Sequence, residues 1–323
     1  MGPSPNAVPE DMRALRVHAF GEPPRLERVP VPEPGPEDVL VELAAGVVSH
    51  HDLTVAGGDF PVRPSLPYVP GIEGAGRVVR AGAEVDADRV AAGMRVRVFG
   101  GGLGATRPGT WAEYATVTAR AARPIPDALE TALAAACGSV AATAWGAVMG
   151  LGALRPGERI GVTGASGAVG SLALQLAALE GAETLVAWLR SPDKAPFLPA
   201  NAETAAPGDA VEPVDLLVDT VGGFLLAEHL RSVRPGGRAV LVGYTAGTEI
   251  RLSLPDLMAA DVALLPLNMM RRRLPKGVEG DLLEGFAAGR LRLAVETVSP
   301  AEVDDAIERI QRGAVSGRVV LTW

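Results

Sequence analysis

The sequence has one cysteine in 323 residues. A lone Cys137 excludes an intramolecular disulfide and any cysteine-rich structural zinc lobe, and it fits a reducing compartment, the cytoplasm. Basic charge is also in deficit. Thirty Lys and Arg face 38 Asp and Glu, for a net charge of −8, and no dense Lys/Arg stripe exists to follow a phosphate backbone. Nucleic acid is therefore not an expected partner, and the longest basic run, Arg271-Arg272-Arg273, reads as a solvated loop or interface edge. No stretch reaches membrane-spanning length without Gly or charge to interrupt it, so no membrane span is expected. Met1 to Glu10 lacks a basic segment followed by an apolar one and reads as a loose, Pro-rich tail rather than a signal peptide.

What is present describes a chain that folds. Hydrophobic residues make up 48% and charged residues 21%, too apolar for disorder, and the length is about twice that of a usual single domain. From Ala14 to about Pro126, short apolar runs broken by Gly and Pro alternate with period two, as in Val39-Leu40-Val41-Glu42-Leu43, and predict half-buried strands of a small barrel. After Asp127 an Ala-rich helical stretch, Leu129 to Met149, leads into a strand, a glycine loop, a helix and another strand. The runs Ile160-Gly161-Val162, Leu185-Val186-Ala187, Leu216-Leu217-Val218 and Ala239-Val240-Leu241-Val242 have the composition of buried parallel strands. From about Asp261 the texture returns to short strands and one amphipathic helix, Pro300 to Arg312. The expected organisation is a mostly β catalytic domain over 1–126, an α/β dinucleotide domain over 127–260, and a return to the first domain over 261–323.

Arg159 to Thr163 runs into Gly164-Ala165-Ser166-Gly167-Ala168-Val169-Gly170 and then a helix, Ser171 to Leu179. A glycine-rich turn between strand and helix offers free N–H groups and a positive dipole end to a pyrophosphate at Ser166, Gly167, Ala168, Val169 and Gly170. Ala165 stands where the usual pattern has its first glycine. About 20 residues on, where an acidic side chain would bind the ribose 2′-OH of NAD, the chain has Arg190, Ser191 and Lys194. Cations and a hydroxyl suit a 2′-phosphate, so NADPH is the expected cofactor. Asp193 is the one acidic neighbour. The segment between Ser191 and Asp215 is short and rich in Pro and Ala, and it is expected to lack a regular helix or strand.

The ordered set Glu33-Pro34-Gly35-Pro36-Glu37-Asp38, Ser49-His50-His51-Asp52, Pro70-Gly71-Ile72-Glu73-Gly74, Gly109-Thr110-Trp111-Ala112-Glu113-Tyr114, Thr143-Ala144-Trp145, the glycine turn, Asp219-Thr220-Val221-Gly222 and Pro235-Gly236-Gly237-Arg238 resembles the medium-chain dehydrogenase/reductase superfamily. The likeness runs from Met12 to Leu321 and is to its zinc-independent, quinone oxidoreductase-like branch. It implies a Rossmann doubly wound parallel sheet inserted in a GroES-like catalytic domain.

In zinc-dependent relatives the metal is held at positions that match Ser49, Ile72 and about Ser139 here. Isoleucine cannot be a ligand, so the resemblance implies no metal. It implies instead hydride transfer to a quinone or an α,β-unsaturated carbonyl of an apolar small molecule. A Tyr expected in relatives that reduce enoyl thioesters is replaced by Phe60. Ser49, His50 and His51 are the candidates to contact or protonate the substrate oxygen. In an extended or tightly turned segment the two histidines would point opposite ways, and both could equally be structural. Asp52 is expected to hold local backbone. The nicotinamide is expected beside Thr143, Gly243 and Tyr244, because the strand ending Val242-Gly243-Tyr244 lies across the sheet's switch point from the glycine turn. Two alternatives stay open: ketone/alcohol chemistry, and a nucleotide-binding protein with a sensor or non-redox role. The apolar run Val262 to Leu267 predicts a sheet-edge homodimer.

Overall fold

The computed structural model describes residues 8–191 and 195–323 and divides the chain into two compact units. One runs up to Cys137 and resumes at Val295–Trp323; the other is Gly138–Ala294. The first begins with an antiparallel ribbon of β1 (Asp11–Arg16) and β2 (Arg25–Pro30). β3 (Asp38–Val48), α1 (His50–Gly57), β4 (Glu73–Ala81), β5 (Arg95–Phe99), β6 (Tyr114–Thr118) and β7 (Ala122–Pro124) follow. β3 is the hub, paired with both β4 and β6. Its Val39, Val41 and Leu43 face one core with Val78, Val96 and Val117, while Leu40 and Val48 face another with Met12, Leu15 and Trp111. The period-two alternation therefore puts one face of β3 into one buried cluster and part of its other face into a second, with Glu42 and Ala44 exposed between.

α2 (Thr131–Trp145) continues without a break into a π-helical turn, Gly146–Leu151. The combined helix, Thr131–Leu151, is long and apolar enough to pass for a membrane span, but most of its apolar window is buried inside the protein.

The second unit contains β8 (Arg159–Thr163), α3 (Ala168–Leu179), β9 (Thr184–Trp188), β10 (Ala202–Ala205), β11 (Val214–Asp219), α4 (Gly223–His229), β12 (Val233–Leu241), α5 (Leu254–Ala260), β13 (Ala263–Pro266) and α6 (Val278–Ala287). The six strands are all parallel, in the order β10-β9-β8-β11-β12-β13. This is the Rossmann order, with the direction of travel reversing between β8 and β11, and ligands bind at the strands' carboxyl ends at such a point. β14 (Val295–Val298), α7 (Val303–Gln311) and β15 (Arg318–Thr322) then return to the first unit, where β15 pairs antiparallel with β3.

The unit boundaries fall at 137/138 and 294/295, not at the expected 126/127 and 260/261. The apolar run after Asp261 is a sixth parallel strand, with Leu264 opposite Ala239 and Leu265 opposite Val240. α6 buries Leu282, Leu283 and Phe286 in the same unit. The Gln175 amide ties α3 to the Arg292 backbone from both sides, donating to its carbonyl at 2.9 Å and accepting from its N–H at 2.8 Å. A four-residue strand of a parallel edge and one of a barrel look alike in sequence, which explains the error. The short segment after Ser191 keeps its strand, β10, but the described residues on either side of it form no helix. Trp188, almost wholly buried, packs where a Cβ on Gly161 would stand and fills that face of the sheet.

Candidate functional site

The glycine turn joins β8 to α3 as expected, with the helix beginning three residues earlier than the sequence suggested, at Ala168. Gly167 is the N-cap and contributes no capping side chain. The first intrahelical donor is the Ser171 N–H, to the Gly167 carbonyl at 2.9 Å, so the N–H groups of Ala168, Val169 and Gly170 have no intrahelical acceptor and are left for a ligand. Gly170 is required by packing, since a Cβ there would collide with the Gly164 carbonyl. Gly164 itself has φ +62°, a left-handed conformation that favours glycine. A Cβ on Gly167 would meet only that same carbonyl, at 3.2 Å, so the outer side of the turn is open. A cradle of free N–H groups with no side chains over it fits the pyrophosphate of a nicotinamide dinucleotide.

Across the switch point lies a polar network that the sequence reading did not single out. The Thr163 hydroxyl, at the end of β8, donates to Asp219 Oδ1 at 2.6 Å and accepts the Thr220 N–H at 2.9 Å. The Thr220 hydroxyl returns a bond to the Thr163 carbonyl at 2.7 Å, and Asp219 Oδ2 accepts the Gly222 N–H at 2.9 Å. Asp219 is fully buried, and burial pushes its carboxyl up while the Thr163 and backbone donors pull it down; the net direction is upward. The network fixes the loop after β11 against the glycine turn. The signal for it was Asp219-Thr220-Val221-Gly222, an acid closing a buried strand just before a glycine. The loop after β12 then packs backbone to backbone on it: Ala246 N–H donates to the Val221 carbonyl at 2.7 Å, and a Cβ on Gly222 would meet the Gly243 carbonyl at 2.7 Å.

Arg190 and Ser191 follow the end of β9, beside β8, with Arg190 exposed and Ser191 half-buried. Lys194 lies outside the described residues. Gly243 and Tyr244 follow β12 at the same edge of the sheet, and the Tyr244 side chain is exposed. Thr143 is half-buried on α2, and its hydroxyl donates to the Ser139 carbonyl at 2.8 Å, just before the helix widens into its π turn. Such turns are often found at functional sites.

In the other unit the histidines do not sit in an extended segment. His50 and His51 open α1, and neighbours on a helix diverge by about 100° rather than 180°. Ser49 is the N-cap of a capping box: its hydroxyl donates to Asp52 Oδ2 at 2.5 Å, and its N–H donates to the same oxygen at 2.9 Å. The Ser-x-x-Asp spacing was the signal for this helix start. Asp52 Oδ1 accepts the Ile72 N–H at 3.0 Å, so both oxygens hold local chain, as expected for Asp52. Asp52 is 2% exposed; burial raises its carboxyl against the pull of Ser49, His51 and Arg318. His50 is exposed, yet partial desolvation and the Arg318 charge hold its imidazole below the usual histidine value, which leaves it neutral at pH 7. His51 packs edge-on against Phe60, ring centroids 4.7 Å apart.

Arg318 and Glu73, which the sequence reading passed over, complete this cluster. They form a buried ion pair, and Arg318 sits one residue from the Val319–Val48 pairing, where the chain leaves β3 for Ser49. The positions that the resemblance assigns to metal ligands thus hold a hydroxyl whose proton is committed to Asp52, a hydrocarbon and Ser139. Among the described residues no three His, Cys, Asp or Glu side chains are grouped as a metal ion would need. The donor set does not fit tetrahedral zinc.

Comparison with known proteins agrees with both units. Residues 35–127 match the alcohol dehydrogenase GroES-like domain, and residues 200–321 match the family described as zinc-binding dehydrogenase. The chain is 32% identical to an alcohol dehydrogenase of Rhizobium meliloti (strain 1021), covering 96% of this chain and 98% of that one. It is 27% identical to prostaglandin reductase-3 of Bos taurus, over 90% of this chain and 82% of the relative. The crystal structure of AibC superposes with a TM-score of 0.85 at 27% identity, covering 97% of this chain and 96% of that one. With a Rossmann sheet, a glycine cradle for a dinucleotide and a whole-length match to dehydrogenases, the chain belongs to the medium-chain dehydrogenase/reductase superfamily of nicotinamide-dependent oxidoreductases.

Proposed function

We propose that this oxidoreductase uses NADPH, without zinc, to reduce a quinone or an α,β-unsaturated carbonyl in an apolar small molecule. The observation that carries the reading is the donor set at the metal-ligand positions, where Ile72 offers no lone pair and Ser49 gives its proton to Asp52. With no Lewis acid to polarise an isolated carbonyl, the favoured acceptor is an electron-poor carbon whose added charge spreads by conjugation onto oxygen. Bound NADPH would supply the hydride. The chain's part is to hold the pyrophosphate on the N–H groups of Ala168 to Gly170, to meet the 2′-phosphate with Arg190 and Ser191, and to exclude water. The kinship with prostaglandin reductase-3 supports reduction over alcohol oxidation.

The test is NADPH and NADH consumption against a panel of quinones, enones and ketones. Turnover of the first two classes with NADPH is expected; turnover of ketones alone would reject the reading. The relatives named alcohol dehydrogenase favour a second reading, a ketone/alcohol couple, which the same panel separates.

The protein is further proposed to be a homodimer joined through β13. Among the described residues that strand ends the sheet with one edge unpaired, and neighbouring α5 buries none of its residues while exposing Leu254 and Met258. An open apolar edge of this kind invites pairing with a second copy. A dimer mass by light scattering is expected at micromolar concentration, and a monomer mass would refute it.

A further inference from the structure

Tyr68 is 7% exposed, and its hydroxyl is enclosed with no hydrogen-bond partner among the described residues. An unpaired buried hydroxyl lowers stability and is retained where a ligand supplies the missing partner. Its backbone is fixed by paired bonds with Val17, at 2.9 and 3.1 Å, and its ring packs with Val17, Val55 and Phe60. Phe60 in turn meets His51, so Tyr68 brings a phenol to the cluster in which Phe60 has none. Burial, and then the Asp52 charge, push the Tyr68 phenol above its ordinary value, so it keeps its proton throughout the working pH range. Residues 60–67, which lead from Phe60 into Tyr68, carry neither helix nor strand.

We infer that Tyr68 Oη is the hydrogen-bond donor to the substrate's carbonyl oxygen, in place of the hydroxyl that Phe60 lacks and of Ser49, whose proton is already given to Asp52. The inference rests on the reductase reading above. In the reaction, hydride forms a C–H bond at the β-carbon of the conjugated substrate. The C=C π pair shifts to make an enolate, whose oxygen accepts the Tyr68 hydrogen bond. Its α-carbon then takes a proton from water, leaving a saturated carbonyl compound and oxidised nicotinamide. Tyr68 remains protonated and acts as an oxyanion donor.

Tyr68→Phe tests this without cutting a cavity. The variant is expected to melt at or above the wild-type temperature, to bind NADPH as the wild type does, and to lose kcat on an enone by about 10²-fold, the scale of one oxyanion donor. Unchanged kcat would overturn the inference. So would a lowered melting temperature, which would mean that the hydroxyl is paired within the protein. If the wild type interconverts only a ketone and its alcohol, the reductase reading fails, and Tyr68→Phe is then assayed on that couple: lost kcat with intact melting supports the donor, and unchanged kcat overturns it. If the wild type turns over neither class, both readings fall.

Discussion

Replacing Thr163 with Val removes one oxygen and keeps the side-chain volume, so its effect isolates the network across the switch point. Two bonds are lost. Asp219 Oδ1 loses the donor at 2.6 Å, and the Thr220 N–H loses its acceptor at 2.9 Å. A hydrogen bond to a charged group contributes about 1.5–3 kcal/mol, and a buried N–H left unsatisfied costs about 1–3 kcal/mol. The variant should therefore be destabilised by roughly 2.5–6 kcal/mol in urea unfolding, toward the lower end because the Thr220 N–H is only half-buried. The penalty should also depend on pH. Burial already raises the Asp219 carboxyl, and losing the Thr163 donor raises it further. A carboxyl whose folded pKa exceeds its unfolded one loses stability as pH rises between the two, so the deficit should be smaller near pH 5 than near pH 8. Because the network holds the loop after β11 against the glycine turn, NADPH should also bind more weakly, tenfold for each 1.4 kcal/mol of preorganisation lost. Thr163→Ser should recover most of both properties. A Thr163→Val protein within about 0.5 kcal/mol of wild type, with unchanged NADPH affinity, would refute the reasoning.

Arg190→Ala should weaken NADPH by about 10-fold or more while leaving NADH nearly unchanged, because one charge-assisted contact to the 2′-phosphate is removed; equal losses for the two nucleotides in a fluorescence titration would place Arg190 elsewhere than the ribose. His50 has a folded pKa below its unfolded value of about 6.5, so its contribution is present above that unfolded value and lost as pH falls from there through the folded one. The melting temperature of His50→Gln should accordingly decline less than that of the wild type between about pH 7 and pH 5, and parallel declines would show that His50 is not shielded.

The cofactor half was legible because its chemistry is local. β8, the glycine turn and α3 are consecutive, and a glycine such as Gly170, forced by the close approach of Gly164, marks itself in sequence. The order of the six strands was not local, and neither was the membership of β13, whose four residues carry no sign of which sheet they join. At Ser49 to Asp52 the error was one of weighting. The capping-box spacing was in plain view, but the pair of histidines drew attention to an extended or tightly turned segment with opposed side chains, and the helix changed which way they point. Contacts of high sequence separation were out of reach: Arg318 meets Glu73 across 245 residues, and Tyr68 is isolated only by what fails to surround its hydroxyl.

Whether the chemistry needs a metal is open to direct measurement. Purified protein should be analysed for zinc, treated exhaustively with chelator and assayed for NADPH-dependent reduction of a quinone and an enone. Less than stoichiometric zinc and undiminished turnover after chelation are predicted from Ile72 and from the Ser49 proton held by Asp52. Stoichiometric zinc, with activity lost to the chelator and restored by added zinc, would contradict it.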